Sequence, residues 1–370
     1  MFTMMKRAVA ILAISQLAVL CSSAAEAAEE AEFYGLLRAR DLTPFGFLRL
    51  DMRPGYAGSL EAGAWAVELD IGYQNTWALS PNVERYLTSL EARGRRQLGA
   101  AELQAIRELP GENYLVDVES ATLDAIVHYK FAEHWTGYLI ASGVSYQGGF
   151  LDGMIEGFHD AFGFSSFGRP AVRRNQVNII YDLKGAQVTS LDAAAHSGLL
   201  DPTLGVRYTG WQLPQPWTLA VEAAVKVPIA GTRQLLSSGH YDYGFQASLQ
   251  RRGVRHALYA DVAAVYYGGA EFPVPEDAQI IPTLIVGYEY RLTPRTHLNL
   301  QAYVSTSVYS RRQTDLEELT GNKYQYSLGL RHRVGRALLT FGVTENVQNI
   351  NNTPDIGFQL GIAYLPVRAE

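Results

Sequence analysis

The stretch Ala64–Trp77 decides the fold, and it reads Ala-Trp-Ala-Val-Glu-Leu-Asp-Ile-Gly-Tyr-Gln-Asn-Thr-Trp. One parity carries large apolar side chains, which are Trp65, Val67, Leu69, Ile71 and Tyr73. The other parity carries small or polar residues, which are Ala66, Glu68, Asp70, Gly72 and Gln74. Because successive side chains of a strand point to opposite faces, this stretch is predicted to be a strand with one apolar and one polar face.

The same alternation recurs along most of the chain, and short breaks alternate with long polar connections. The short breaks lie near Glu133 and at 213–216, 251–253, 293–295 and Gly335. The long connections are 80–112, 148–199, 229–240, 268–278, 310–322 and 346–354. This asymmetry is typical of outer-membrane barrels, which have short periplasmic turns and long extracellular loops. We therefore predict an all-β fold, a transmembrane antiparallel β-barrel of about 12 strands over residues 64–367, closed so that every backbone donor in lipid has a partner.

Composition agrees with a sheet-rich membrane protein, because the 370 residues include 22 Tyr and 34 Gly and only 18% are charged. Residues 1–27 have the features of a secretory signal peptide, with basic Lys6 and Arg7, an apolar run over 8–20 and a small-residue site at 25–27. Its removal also removes the only cysteine, Cys21; bulky Leu20 before it argues against lipidation. Without residues 1–27 the formal net charge changes from −6 to −7, which gives no basic footprint for nucleic acid.

Residues 28–63 form a lead with little alternation, and the apolar-rich part is 44–54. We expect it either to stay in the periplasm against the rim or to plug the barrel in part. Within the first long connection, residues 98–109 show helical spacing and are predicted to pack within that loop. The strand-like run Asn175–Asp182 would make the strand number odd, so it is assigned to the second outer loop, as a β extension above the membrane.

The segment 148–164 is the most distinctive part outside the strands. Helical spacing places four apolar side chains on one face, Leu151, Ile155, Phe158 and Phe162, and leaves a polar side of Asp152, Glu156, His159 and Asp160. Two interpretations stay open: a gate or plug helix at the barrel mouth, or a loop helix whose apolar face packs on the strand tops. His159 with Glu156 and Asp160 could form an acid–base or metal cluster, but a solvated helix face explains them better.

This segment, together with the Phe45–Pro54 lead, resembles an uncharacterised family of proteobacterial outer-membrane barrel proteins known only as a domain of unknown function. The resemblance is carried by Gly149-Phe-Leu-Asp152 and Ile155-Glu-Gly-Phe-His159, which follow an early strand. It covers most of the chain beyond the signal peptide and implies an outer-membrane barrel. It transfers no catalytic residue, cofactor or ligand.

The polar parity of the strands predicts the residues that line the lumen. The candidates are Glu68, Asp70, Arg207, Glu222, Lys226, Asp261, Glu289, Arg291 and Arg331. Charges inside a narrow barrel must be paired or hydrated, so they form either a salt-bridge network that fills the lumen or a polar path for a solute. Their mixed signs argue against a dedicated anion or cation pore.

The sequence therefore favours an integral outer-membrane barrel that acts as a passive channel or uptake protein for small solutes, apolar ones included. A structural or surface-binding barrel with a packed lumen is the alternative. A lipid-modifying enzyme ranks third, because no His-x-Ser pair occurs on a strand and His196 precedes Ser197 directly. No metal or cofactor is expected. The expected partners are outer-membrane lipid, lipopolysaccharide and a small solute, and the oligomeric state stays open.

Overall fold

A computed structural model describes residues 32–41, 46–55, 60–184, 189–191, 197–346 and 355–364. The expected signal peptide 1–27, the end of the expected barrel at 365–367 and His196 lie outside these ranges. Within them, no helix is long and apolar enough to cross a membrane.

Twelve of the strands form a closed antiparallel barrel. The strands are β1 Trp65–Leu79, β2 Asn113–Ala132, β3 Trp135–Gln147, β4 Asn178–Asp182, β5 Thr189–Leu191, β6 Gly198–Leu199, β7 Thr203–Trp211, β8 Trp217–Lys226, β9 Asp242–Arg252, β10 His256–Tyr267, β11 Gln279–Thr293, β12 Thr296–Ser305, β13 Lys323–Val334, β14 Ala337–Glu345 and β15 Ile356–Tyr364. The barrel consists of β1–β3 and β7–β15, and the pairing of β1 with β15 closes it, for example at Leu69 and Ile362. The predicted fold is confirmed.

The two ends of the barrel differ as the alternation of short breaks and long connections in the sequence predicts. Turns at 133–134, 212–216, 253–255, 294–295 and 335–336 join strands at one end, here named the short-turn end. The long connections gather at the opposite, long-loop end. They carry the helices α1 Pro81–Leu90, α2 Ala100–Arg107, α3 Asp152–Phe162 and α4 Glu317–Thr320.

Alternation along β1 separates an outer belt from an inner wall. Trp65, Leu69 and Ile71 are 56%, 44% and 50% exposed, whereas Glu68 and Asp70 on the other parity are buried. Aromatic pairs border the outer belt on this side of the barrel: Trp65 stacks on Tyr129 at the short-turn end, and Tyr73 stacks on Phe150 toward the long-loop end, with ring centroids 4.3 and 5.2 Å apart. An apolar belt between two aromatic girdles is the surface that a transmembrane barrel presents to lipid.

Beyond this belt, β1 and β2 continue as an extension of the sheet at the long-loop end. The strand β4, which contains most of the run Asn175–Asp182, pairs with β2 over Asn113–Asp117, and β5 pairs with β4. A satellite apolar core covers the outer face of this extension, where Trp77 and Leu115 meet Leu87 of α1 and Val172. The second outer loop therefore packs beside the sheet, on the same face that meets lipid lower down.

Candidate functional site

The inner wall of the barrel carries buried charged side chains from many strands. Of the predicted lumen-lining residues, these are buried on the inward parity: Glu68, Asp70, Arg207, Glu222, Lys226, Asp261, Glu289 and Arg331. Arg291 is half-buried at the short-turn end of β11. Sequence reasoning missed further inward polar residues of the same parity, which are Asp124, His128, Asp242, His297, Asn299 and Tyr303. Strand parity could have found them.

The lead does not stay outside this wall but runs through the lumen. At the short-turn end, the backbone N–H groups of Tyr34 and Gly35 each donate to the Glu289 carboxylate at 2.9 Å. Arg331 donates to the carbonyls of Tyr34, Gly35 and Leu36, the last two at 3.3 and 3.2 Å. One acidic and one basic wall residue thus bind the backbone of the same short stretch of the lead.

In the middle of the lumen, two parts of the lead converge on one wall carboxylate. Arg40 Nη1 lies 3.0 Å from Asp124 Oδ1, and Arg53 Nη1 lies 2.9 Å from Asp124 Oδ2. Nearby, Arg38 Nε lies 3.6 Å from Glu68 Oε2. The side chains of these residues are at most 10% exposed. Asp124 therefore ties together two arms of the lead that are separated in sequence.

Toward the long-loop end, the lead turns and comes back. Lys226 Nζ donates to the Leu48 carbonyl and the Leu50 N–H donates to Asp242, both at 2.7 Å. Arg49 donates to the Tyr303 hydroxyl at 2.6 Å. On the return, Lys130 Nζ donates to the Leu60 carbonyl at 2.7 Å, close to the turn 133–134. The lead therefore enters at the short-turn end, ascends, descends and joins β1 at the end where it entered.

Glycines in the wall make room for apolar side chains of the lead. A Cβ at Gly287 would lie 2.3 Å from Leu36 Cδ2. A Cβ at Gly329 would lie 2.6 Å from the Phe341 carbonyl of the wall and 2.7 Å from Leu37 Cδ1. Contacts below 3.0 Å are shorter than packed atoms allow, so any larger residue at these positions would displace a leucine. The lead is therefore seated by shape as well as by charge.

The long-loop end of the lumen is closed by an apolar core. Leu48, Leu50 and Met52 of the lead pack there with inward residues of the strand ends and with the loops, among them Tyr146, Leu236, Val265 and Tyr309. Between the lead and the wall, a cavity of about 20 Å³ is lined by residues that include Arg40, Arg49 and Lys226. That volume holds about one water molecule, so this part of the lumen is packed.

Some wall charges pair with the wall itself. Arg207 Nε donates to Glu222 Oε1 at 2.7 Å, and His128 Nε2 lies 2.6 Å from Glu68 Oε1. Asp261 is hydrogen-bonded to Ser248 on the neighbouring strand. Some of the predicted lumen residues therefore pair within the wall, as Arg207 does with Glu222, and others bind the lead, as Glu289 and Arg331 do.

The helix in 148–164 forms, but the predicted assignment of its faces is wrong. Leu151 and Ile155 are buried, whereas Phe158 and Phe162 are 52% and 64% exposed. Conversely, two residues of the expected solvated side, Asp152 and Glu156, are buried, while Asp160 is exposed and His159 is half-buried.

Ion pairs explain why the acidic side of α3 faces the protein. Asp152 accepts from Arg169 and from the Asn175 N–H, the latter at 2.8 Å. Glu156 accepts from both Arg95 and Arg174. Burial alone would raise the pKa of Glu156, but the hydrogen bonds and charges of the two arginines outweigh it and lower the pKa below its ordinary value.

The segment 148–164 lies outside the barrel wall rather than in its mouth. The N–H groups of Phe150 and Leu151 donate to Glu119 at 3.0 and 2.7 Å, and Glu119 shares the outward parity of β2. Asn75 Nδ2, on the outward parity of β1, lies 3.3 Å from Asp152 Oδ1. In this structure α3 is therefore neither a gate nor a plug. Within the described ranges, no group of three His, Cys, Asp or Glu is placed to hold a metal.

An apolar outer belt around a closed barrel with a polar lumen defines a transmembrane β-barrel protein. The family described as "Protein of unknown function (DUF3187)" matches residues 99–365, and the chain belongs to this family. The resemblance to an uncharacterised outer-membrane barrel family is confirmed. The match begins after β1, so the lead lies outside it.

Comparison with solved structures finds similar chains. The chain is similar to the COG4313 outer membrane channel from Pseudomonas putida F1, with a TM-score of 0.51 and 11% identity over 85% of this chain and 99% of that one. For the NanC porin the TM-score is 0.42 and the identity 7%, over 81% of this chain and 100% of that one. For the P. putida toluene transporter TodX the TM-score is 0.41 and the identity 8%, over 84% of this chain and 92% of that one. Among curated proteins there is no match. At 11% identity the likeness to the COG4313 channel shows the fold alone, that of an outer-membrane β-barrel.

Proposed function

We propose that this protein is an outer-membrane channel for small solutes, closed by its own lead and opened when the lead leaves the lumen. The short-turn end then faces the periplasm and the long-loop end faces the cell exterior, as in other outer-membrane barrels. Both ends of the described lead contact the short-turn end, so it can be withdrawn toward the periplasm without crossing the membrane.

One observation carries this proposal: several wall charges bind the lead, and both ion-pair partners of Asp124 lie in the lead, although Lys226 and Asp242 also pair with each other at 3.0 Å. Glu289, Arg331, Asp124 and Asp242 bind lead atoms, and Lys226 binds the Leu48 carbonyl. Several of these contacts are hydrogen bonds and ion pairs that water can replace when the lead departs. In a wall built only as a packed core, a carboxylate such as Asp124 would be paired within the wall or replaced by an apolar residue, because burial of a lone charge is costly.

The wall chemistry favours polar solutes over the apolar ones that the sequence also allows. The inward residues that would border an emptied lumen include carboxylates, guanidinium groups and amides, such as Asp124, Arg331 and Asn299. Groups of this kind orient polar solutes by hydrogen bonds. The apolar side chains of α3, which suggested an apolar solute, lie outside the lumen.

The packed-lumen alternative has one observation in its favour, which is the apolar core that closes the long-loop end. Leu48, Leu50 and Met52 of the lead belong to that core, together with loop residues such as Leu235 and Tyr309. In a channel, withdrawal of the lead removes three apolar side chains from this core and loosens it. In a structural barrel, the core is permanent and the long loops alone act at the surface.

Planar-bilayer recording separates the two functions. The full chain is compared with a variant that lacks residues 33–55, and heat-dependent migration on gels shows whether each barrel is folded. The channel predicts a stable conductance in the deletion variant and only brief openings in the full chain. A folded deletion variant that conducts no ions and passes no small sugars would rule the channel out.

A disulfide lock tests the role of the lead in the intact protein. Leu36→Cys with Gly287→Cys places two thiols at a direct contact between lead and wall, and Cys21→Ser removes the native thiol. Openings of the full chain should vanish under oxidising conditions and return with reductant. Leu36→Cys alone is the matched control, and its openings should not respond to reductant.

A further inference from the structure

An unpartnered apolar face runs along α3. Met154, Phe158 and Phe162 recur every fourth residue and are 50%, 52% and 64% exposed. Between them lie exposed small residues, Gly153, Gly157 and Ala161. All residues of α3 are described by the structure, and among them Asp160 is the only charged residue that is exposed. An apolar face of this kind is unusual on a water-facing loop and marks a surface that contacts another apolar phase.

Aromatic neighbours widen this face into a larger apolar patch. Phe150 and Phe164, which flank the helix, are 69% and 54% exposed. The rings of Phe158 and Phe162 lie 4.6 Å apart, and those of Phe162 and Phe164 lie 6.2 Å apart. The patch therefore holds five large apolar side chains, and the aromatic rings of three of them contact one another without becoming buried.

The patch is held outward by the ion pairs on the opposite side of the helix. Asp152 is bound by Arg169, and Glu156 by Arg95 and Arg174. Turning the phenylalanines inward would break these pairs and leave a buried charge without its partner, which is costly. These ion pairs therefore fix the orientation of α3, with its phenylalanines facing outward.

The patch continues the surface that the barrel presents to lipid. Tyr73 is the last member of the apolar series on β1, and its ring stacks on Phe150, 5.2 Å between centroids. Phe150 in turn lies two residues before the start of α3. The helix thus begins at the upper aromatic girdle, where the outer leaflet changes from acyl chains to headgroups.

Basic side chains border the patch. Arg95 and Arg174 both bind the carboxylate of Glu156. Arg174 Nη1 would lie 3.5 Å from a Cβ at Gly153, on the exposed side of the helix, and Arg173 next to it is exposed. An apolar helix face beside basic groups is the pattern of a helix that lies in the interface of an anionic lipid layer.

We propose that α3 is a membrane-docking helix, which lays Met154, Phe158 and Phe162 into the outer leaflet and presents Arg173 and Arg174 to lipid phosphates. The lipid that combines acyl chains with phosphate in that leaflet is lipopolysaccharide. The inference needs the outer-membrane location but not a conducting lumen. It therefore stands or falls separately from the channel function.

A lipid-quenching experiment tests the docking of α3. An environment-sensitive fluorophore is attached at Gly157→Cys, where a Cβ meets no atom within 4 Å, in the otherwise complete chain with Cys21→Ser. Leu69→Cys on the lipid belt is the positive control, and Ile229→Cys, 72% exposed in another long loop, is the matched loop control. The labelled barrels are reconstituted in vesicles of phosphatidylcholine, with or without lipopolysaccharide, that contain acyl chains bearing a quencher.

Docking predicts that the label at 157 is quenched nearly as strongly as the label at 69 and well above the label at 229, and more so with lipopolysaccharide. Quenching at 157 no greater than at 229 in both kinds of vesicle overturns the docking. Equal quenching with and without lipopolysaccharide overturns the role of the arginines. Phe158→Asp with Phe162→Asp should abolish the quenching at 157, while the barrel stays folded on gels.

Discussion

Asp124 is the wall residue whose substitution should most directly release the lead from the lumen. Its carboxylate binds Arg40 and Arg53 at 3.0 and 2.9 Å, and it also accepts from Ser142. The substitution Asp124→Asn keeps the size of the side chain and removes the charge that holds both arms of the lead.

The expected magnitude follows from the burial of these groups. Removing one partner of a buried ion pair costs about 3–5 kcal/mol, because the other charge is left uncompensated. Asparagine keeps one oxygen that can accept a hydrogen bond, so the lower end, about 3 kcal/mol, is expected. Since about 1.4 kcal/mol corresponds to a tenfold change, the population with a released lead should rise about 100-fold.

Thiol labelling measures this population directly. A cysteine at Ala39, between Arg38 and Arg40, is reacted with a water-soluble maleimide, in a chain with Cys21→Ser. When closing is faster than labelling, the labelling rate tracks the released population. Asp124→Asn should therefore raise the rate about 100-fold by the same free-energy relation, and it should raise the open probability in planar bilayers.

The matched control is Asp261→Asn, because Asp261 is an equally buried wall carboxylate whose hydrogen bond goes to Ser248 of the wall. It should leave the labelling rate at Ala39 close to that of the parent. An Asp124→Asn protein that labels no faster than the parent, or an equal rise in both variants, would refute the reasoning that charge holds the lead.

Further predictions concern shape, lipid and pH. Gly287→Ala should weaken the seating of the lead by about 1–3 kcal/mol, because its Cβ would lie 2.3 Å from Leu36 Cδ2, and Leu36→Ala in the same chain should restore slow labelling at Ala39. Leu69→Arg should cost roughly 2–4 kcal/mol in chemical unfolding from lipid vesicles, since Leu69 lies midway along the lipid belt; a loss no larger than that of Ile229→Arg would contradict the assigned faces. The lowered pKa of Glu156 means that its ion pairs stabilise α3 fully above its ordinary pKa of 4.5 and less as the pH falls through the lowered value. Hydrogen exchange of the α3 amides, corrected for the intrinsic rate, should therefore accelerate under acid conditions, and Glu156→Gln should remove this pH dependence.

Local pattern was enough to predict the barrel. A strand alternates its faces by geometry alone, so the parity of Trp65 to Tyr73 and of its repeats assigned the lipid belt and the inward charges without any tertiary information. The closure of the barrel, with the last strand paired to the first, followed from the need of every backbone N–H and C=O group in lipid for a hydrogen-bond partner. The same parity would also have identified Asp124 and Asp242, had it been applied to every polar residue of each strand.

The orientation of α3 could not be predicted from its own sequence. Helical spacing shows which side chains share a face, but it assumes that the apolar face points to the protein. Here the opposite face carries Asp152 and Glu156, and their partners Arg169, Arg95 and Arg174 come from other parts of the loops. Only the fold brings these charges together, and only the neighbouring lipid belt makes an outward apolar face favourable.

The sequence by itself determined the strands, the two unlike ends of the barrel and the face of each strand that meets lipid, because each of these depends on residues close together in the chain. The tertiary structure alone decided what fills the lumen. Arg40 and Asp124 are 84 residues apart, and Tyr34 and Glu289 are 255 apart. The lead has no strand-like alternation from which its position could be predicted. Its charged side chains find their partners only when the closed wall of the barrel surrounds them.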